Sequence, residues 1–277
     1  MVAVSEESVP EYSKGWYYLA LGYIAYQNSA ECIFCENNFK PNDSAKSETE
    51  TDFFRKSDAV IVLGGDGTLI QLAVKAAHHD VPILGINYGR IGLLSDMEKD
   101  ELHMLNSLFK NEYVIDERMM LKASVVNNNE VIKEFTALND IVISRGISPK
   151  MLEVNLYIDN DLASDIRADG IIAATPTGST AYSLSAGGSV IDPAARLIAF
   201  TPICPHTLNS RPLIMSEKRK LILKHTDKEG ISCLSCDGQD IFSFERKYDV
   251  HISADTRTVK LIRIKNRNFY SILREKL

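Results

Sequence analysis

The stretch Val60-Ile-Val-Leu-Gly64-Gly-Asp66-Gly-Thr68-Leu-Ile70 restricts the fold more than any other part of the chain. Ala59 to Leu63 is a continuous apolar, largely β-branched run, the pattern of a strand covered on both faces. Glycines interrupt it, and Leu69, Leu72, Ala73 and Ala76 then recur on one side of a helix expected over 68–79. Val81 to Ile86 supplies the next strand, so the spacing predicts a right-handed βαβ unit of a parallel sheet.

That layout has chemical consequences. Gly64, Gly65 and Gly67 allow close approach of a phosphate to the backbone, and the helix start offers unpaired N–H groups with a partial positive charge. Asp66 puts a carboxylate beside this anion site, in a position to accept a proton from an attacking hydroxyl, and Thr68 adds a hydroxyl. The combination suits phosphoryl transfer. No GxxxxGK[ST] pattern occurs, which excludes a P-loop enzyme. The bland alternative is a tight turn in which Asp66 merely caps the helix.

A second turn, Thr175-Pro-Thr-Gly178-Ser-Thr180-Ala-Tyr182, repeats the arrangement after the apolar strand Gly170 to Ala174. Ser179 or Thr180 is positioned to cap a helix running to Ser185. Thr175, Thr177, Ser179, Thr180, Ser183 and Ser185 read as a surface of neutral hydroxyls for the polar edges of a ligand, with an all-structural turn as the competing reading. Between the two turns, Asn87-Tyr-Gly-Arg-Ile-Gly92 is a further glycine turn at the carboxyl end of a strand, the edge where open α/β sheets bind ligands.

The chain of 277 residues is long enough for two domains with cores of their own. An α/β domain with a parallel sheet is expected over 1–100, and a β-rich, sandwich-like domain over 101–264. A helix over 265–277, with Phe269, Leu273 and Leu277 in phase, is expected to return to the first domain. Within the first domain, Tyr12, Trp16, Leu19, Tyr23 and Tyr26 fit one helical stripe read as core, and 40–52 reads as a polar loop. Asp100 to Phe109 reads as helix, with Val250 to Ser253 and Val259 to Ile264 as separate late strands.

A net charge of −6 gives no basic footprint for nucleic acid or an anionic membrane, and the apolar run Trp16 to Tyr26 is too short to span a bilayer. The N-terminal residues lack a signal-peptide pattern, and the cysteine usage points to a reducing cytoplasm. Five cysteines include the pairs Cys32/Cys35 and Cys233/Cys236, but Ile231 to Cys236 reads as a strand that turns residues three apart to opposite faces. Incidental thiols are therefore preferred over a zinc site.

The motifs Gly64-Gly-Asp-Gly-Thr68, Asn87-Tyr-Gly-Arg-Ile-Gly92, Leu138-Asn-Asp140, Asp169-Gly, Thr175 through Gly188, Thr201-Pro-Ile-Cys-Pro-His206, Asn209-Ser-Arg-Pro212 and Asp237-Gly-Gln239 stand in this order. Together, over 57–277, they resemble the NAD kinase family. The resemblance implies that Asp66, with Gly67 beside it, engages the adenosine ribose 2′-hydroxyl of NAD, and that Gly64, Gly65, Gly67 and Thr68 face the phosphate donor. It implies that Asn139 and Asp140 hold the adenosine side, where the family more often has Asn-Glu. Arg167 and Asp169 would lie near the nicotinamide end, often shared across a subunit boundary. Thr180, Ala181, Tyr182, Ser183, Leu184 and Ser185 would line the dinucleotide, with Gln239 and Lys150 as further contacts.

Leu94 stands where the family commonly has Phe, and residues 1–40 do not clearly show the family's usual first strand and asparagine turn. The implied activity is transfer of a phosphoryl group from ATP, or a similar donor, to NAD, giving NADP, with Mg²⁺ shielding the donor in a cleft between the domains of a homo-oligomer. A diacylglycerol-type lipid kinase, which shares the Gly-Gly-Asp-Gly turn, and a non-catalytic NAD(P) sensor are the rivals.

Overall fold

A computed structural model of the chain describes residues 2–6, 20–21, 23–35, 46–48, 50–89, 92–146, 148, 150–206, 210–227, 229–265 and 268–276. It divides into two compact units, Met1–Glu117 with Val259–Leu277, and Arg118–Thr258.

The first unit is built on parallel strands in the order Lys46–Glu48, Cys32–Cys35, Val2–Glu6, Ala59–Gly64 and Ile83–Asn87. Ala59–Gly64 is buried along its whole length, as its unbroken apolar run requires. It pairs in register from Val60 opposite Ile83 to Gly64 opposite Asn87. Ile61, Leu63, Leu84 and Ile86 join Leu21, Leu105, Leu108 and Ile262 in one core cluster. Each such side chain contributes about 1.5–3 kcal/mol by leaving water. The connecting helix is Asp66–His78, which starts two positions before the first residue expected from periodicity and buries Leu69, Leu72, Ala73 and Ala76.

Four expectations for this unit change. The first strand, not clear in residues 1–40, is Val2–Glu6, which takes its place between Cys32–Cys35 and Ala59–Gly64 through parallel pairing. In the helical segment 20–27, Tyr23 and Tyr26 are 62% and 81% exposed, whereas Leu21 and Ala25 are buried. The small i, i+4 pair meets the core there, and the tyrosines face water; Tyr12, Trp16 and Leu19 lie outside the described residues. The span 40–52 is not wholly loop, because Lys46–Glu48 pairs with Cys32–Cys35 and a helix begins at Glu50. That helix carries Phe53 and Phe54, both 1% exposed and packed edge to face, into the interior. Asp100 to Phe109 resolves into a tight helical turn, Leu102–Leu105, followed by Asn106–Phe109.

The second unit contains two antiparallel arrays. One carries Asp161–Ala168, Leu152–Ile158, Leu221–His225 and Asp249–Arg263, the last also pairing with Val114–Asn127, which pairs with Glu130–Ala137. The other has the order Leu213–Ser216, Leu197–Ile203, Gly170–Ala174, Asp140–Ser144, Ile231–Cys236 and Gln239–Glu245. Leu121, Val154, Leu156, Leu223 and Ile252 from the first array pack with Ile141, Ile143, Ile171, Phe200 and Leu234 from the second. This is a β-sandwich core. The two late strands expected from sequence are one, Asp249–Arg263, because the polar residues between them continue the strand, Asp255 being buried and paired with Arg257. The final helix, Phe269–Lys276, buries Ile272, with Phe269 and Leu273 half-buried; Leu277 lies outside the described residues.

Candidate active site

In the first unit, the end of strand Ala59–Gly64 and the start of helix Asp66–His78 form the turn that carries Asp66. Gly65 occupies the cap position in an extended conformation, and no side chain caps the helix. The capping role considered for Asp66 is thus not what it does. Its carboxylate instead accepts hydrogen bonds from the backbone N–H groups of Leu93 (2.8 Å) and Leu94 (3.2 Å). Those two bonds orient the carboxylate at the mouth of the glycine turn. A Cβ built on Gly65 or Gly67 meets nothing within 4 Å, so open space lies in front of the first helical turn, where N–H groups have no intrahelical acceptor. Gly64 and Thr68 are buried, so Gly65 and Gly67 are the more accessible part of this surface.

The loop that holds Asp66 is itself anchored. Arg263 Nη1 donates to the Leu94 carbonyl at 2.6 Å, and its Nε donates to Asp116 at 3.0 Å. Asp96, fully buried, accepts the N–H groups of Ile264 and Lys265. Arg263 sits far away in sequence, and no local spacing singles it out. Gly92 makes the closest approach: a Cβ there would lie 3.1 Å from the Asp66 carboxyl carbon and closer still to Oδ1. Gly92→Ala is therefore expected to leave melting nearly unchanged, because a flexible side chain can yield, while lowering turnover roughly tenfold or more as the carboxylate swings off Leu93 and Leu94. Thermal melting together with steady-state kinetics checks this.

In the second unit, Asn139 and Asp140 lie on the short link into strand Asp140–Ser144, held from two sides. From one side the Asp237 carboxylate accepts the N–H groups of Leu138 (2.8 Å), Asn139 (2.7 Å) and Asp140 (3.1 Å). From the other, Thr175 N–H donates to the Asn139 carbonyl, Thr175 Oγ1 donates to the Leu138 carbonyl, and Gly178 N–H donates back to Thr175 Oγ1. Asp140 is 4% exposed, and burial, then the neighbouring Asp237 charge, pushes its carboxyl up to about 7. The Asn139 Oδ1 atom is buried without a hydrogen-bond partner.

The hydroxyl-rich turn is corrected in part. Thr175, Ser179 and Ser183 have buried side chains, and the ligand-facing hydroxyl surface expected from sequence is correspondingly smaller. Ser179 caps no helix; its Oγ donates to the Pro176 carbonyl and accepts from Ile191 N–H. Ser183 Oγ lies 3.0 Å from Thr201 Oγ1. Arg118, buried, donates to Thr177 Oγ1 at 3.3 Å. Such side chains fix the turn because an unpaired buried hydroxyl would be costly. Tyr182, 46% exposed, and Ser185 remain outward, with Thr180, Ala181 and Leu184 half-buried. The helix is only Tyr182–Ser185, preceded by the tight turn Gly178–Thr180.

The other candidates in this unit lie apart along the strand ends. Asp169 pairs with Arg145 Nε at 2.8 Å, and Arg145 also donates to the Ser148 carbonyl. Arg167 is exposed and pairs with Glu153 at 3.0 Å, and its carbonyl accepts His206 N–H. Lys150 and Gln239 are exposed. Spacing did not single out Arg145, Arg118 or the clamp role of Asp237.

Among the described residues no three His, Cys, Asp or Glu side chains cluster in a way that could hold a metal ion. Cys236 is buried in the sandwich core, while Cys233 lies beside Ser243; both are free thiols.

Two family profiles match the chain: the ATP-NAD kinase N-terminal domain over 23–113 and the ATP-NAD kinase C-terminal domain over 138–264. The NAD kinase of a Thermoanaerobacter species is 42% identical over 228 residues, covering 82% of this chain and 81% of that relative. The NAD kinase of Ruminiclostridium cellulolyticum is 43% identical over 222 residues, covering 79% and 78%. Yeast NADH kinase, in a crystal structure with NADH, superimposes with a TM-score of 0.84 at 25% identity, covering 99% of this chain and 86% of that one. An NAD kinase from Archaeoglobus fulgidus, solved with ATP, shares the fold with a TM-score of 0.74 at 24% identity, covering 99% and 97%.

Proposed function

The chain belongs to the NAD kinase family and phosphorylates NAD to NADP with ATP, and we propose that Asp66 is the residue that engages the acceptor hydroxyl. The observation that carries this reading is the fixed carboxylate: Leu93 and Leu94 orient it beside open space at the start of a helix. Phosphoryl transfer passes through a loose transition state, so holding the ribose 2′-hydroxyl in line with the donor is the larger part of its work, and accepting the proton late is the smaller. The N–H groups at Gly65 and Gly67 bind the donor phosphates, with Gly64 and Thr68 shaping the turn behind them.

Asn139 and Asp140 hold the adenosine. An amide of the Asn type pairs with adenine through its N6 amino group and N7, and the buried, unpartnered Oδ1 of Asn139 supplies an acceptor for the amino group. Tyr182 offers a ring for stacking, alongside Thr180, Ala181, Leu184 and Ser185, with the buried Ser183 holding the turn behind them. Arg167, Asp169, Lys150 and Gln239 serve the rest of the dinucleotide, and a homo-oligomer would let a neighbouring copy complete that end.

A divalent cation, Mg²⁺ by preference, would enter with the donor. Since the described residues offer no multi-carboxylate cluster, its ligands would be mainly phosphate oxygens, and its contribution is to neutralise charge on them. Free thiols at Cys204, Cys233 and Cys236 suit the reducing cytoplasm. Among the described residues no helix is long and apolar enough to cross a membrane.

The test is NADP formation by the purified chain with NAD or NADH against ATP, other nucleoside triphosphates and polyphosphate, run beside Asn139→Ala. That variant is expected to raise KM for NAD by roughly 10-fold to 100-fold, the loss of a bidentate base contact, with KM for ATP little changed. Equal changes in both constants would remove Asn139 from the adenosine contact.

A further inference from the structure

The adenosine-side loop is held by an acid that the reaction itself does not use. Asp237 sits on the turn between strands Ile231–Cys236 and Gln239–Glu245, in the left-handed region at φ 51°, followed by Gly238 at φ 73°. In that conformation its carboxylate points back along the chain and gathers three consecutive N–H groups, those of Leu138, Asn139 and Asp140. Its own N–H donates to the Asp140 carbonyl, closing the clasp. Such a set of donors has one natural occupant, an ionised carboxylate, because a neutral acid or an amide would set a donor against a donor.

We propose that Asp237 is a positioning residue for the acceptor dinucleotide: as the ionised member of a buried carboxyl pair it fixes Asn139 and Asp140, and it leaves Asp140 to bind the dinucleotide in its protonated form. This rests on the reading that Asn139 and Asp140 meet the adenosine.

Two facts divide the pair this way. Burial pushes both carboxyls up, but the three N–H groups pull Asp237 back, whereas for Asp140 the Asp237 charge adds to burial. Among the described residues no cation is among the causes acting on Asp140, which are burial and the Asp237 charge alone, and its partner across the strand pair is the apolar Ala174. A bound dinucleotide takes the remaining water from Asp140 and brings two negative phosphates of its own. Both effects oppose ionisation of Asp140, so the protonated form binds more tightly.

The sign follows. Below about pH 7 the KM for NAD should be flat, and above it KM should climb toward tenfold per pH unit while KM for ATP does not follow. The experiment measures KM for NAD, KM for ATP and kcat between pH 6 and about pH 9, with melting temperatures, for wild type and for Asp237→Asn, Asp237→Glu and Asp140→Asn.

Asp237→Asn is expected to raise KM for NAD roughly tenfold with kcat at saturating NAD nearly kept, and to move the climb to lower pH. Asp237→Glu keeps the charge, so it should raise KM without moving the climb. Asp140→Asn, a neutral amide, should flatten the profile. An unchanged KM for NAD in Asp237→Asn, or an unchanged climb in Asp140→Asn, overturns the proposal. If Asn139→Ala also leaves KM for NAD unchanged, the adenosine reading itself is what has failed.

Discussion

Replacing Asp66 by asparagine is expected to lower turnover in NADP formation by about 10²–10⁴-fold, because the side chain no longer holds the acceptor hydroxyl in line or takes its proton, while NAD binds within about tenfold of its wild-type affinity. Asparagine preserves the volume but turns one terminal oxygen into an amino group. Set against the N–H of Leu93 or Leu94, that group loses one of the two bonds that orient the side chain. The structural loss is about 1 kcal/mol, too small to unfold the domain, so the effect on rate is separable from the effect on fold. Single-turnover kinetics with calorimetric titration of NAD makes the separation. A variant with wild-type turnover would mean that Asp66 takes no part in the chemistry.

The second large effect is expected at Gly178. A Cβ there would stand 2.7 Å from the Asn139 Cα and nearer still to its carbonyl, and these are backbone atoms that cannot rotate away. Thr175 already fixes that carbonyl through its N–H. Gly178→Ala should cost about 3 kcal/mol, the upper part of the usual range for overpacking, and lower the melting temperature by roughly 10 °C. What remains folded should bind NAD poorly with its ATP site intact, because the displaced segment carries Asn139 and Asp140. Melting at the wild-type temperature would show that the turn and the Asn139 segment are less closely packed than the structure has them. The contrast with Gly92→Ala is instructive: there the obstructed atom ends a side chain, so rate is lost and stability is kept.

Both glycines illustrate how motif and fold divide the information. The run Ala59 to Leu63 and the periodicity of Leu69, Leu72, Ala73 and Ala76 are local patterns, and strand and helix follow from them with a two-residue error at the helix start. Locality fails where the partner is distant. The stripe at Tyr23 and Tyr26 has helical spacing, yet Leu21 and Ala25 are what the core accepts. Polar 46–48 becomes a strand only because Cys32–Cys35 offers an unpaired edge.

By itself the sequence determined the βαβ unit, the β-rich second half and the family, because each is written in contiguous residues whose period or order is visible. It also marked Asp66, Asn139 and Asp140 as chemistry. Only the tertiary structure decided what those side chains hold: Asp66 accepts from Leu93 and Leu94 rather than capping its helix, and Asp237 clasps a segment about a hundred positions earlier. The physical reason is common to all of them. A carboxylate's role is set by which N–H groups reach it, and those donors come from chain segments whose proximity exists only once the sheets have closed.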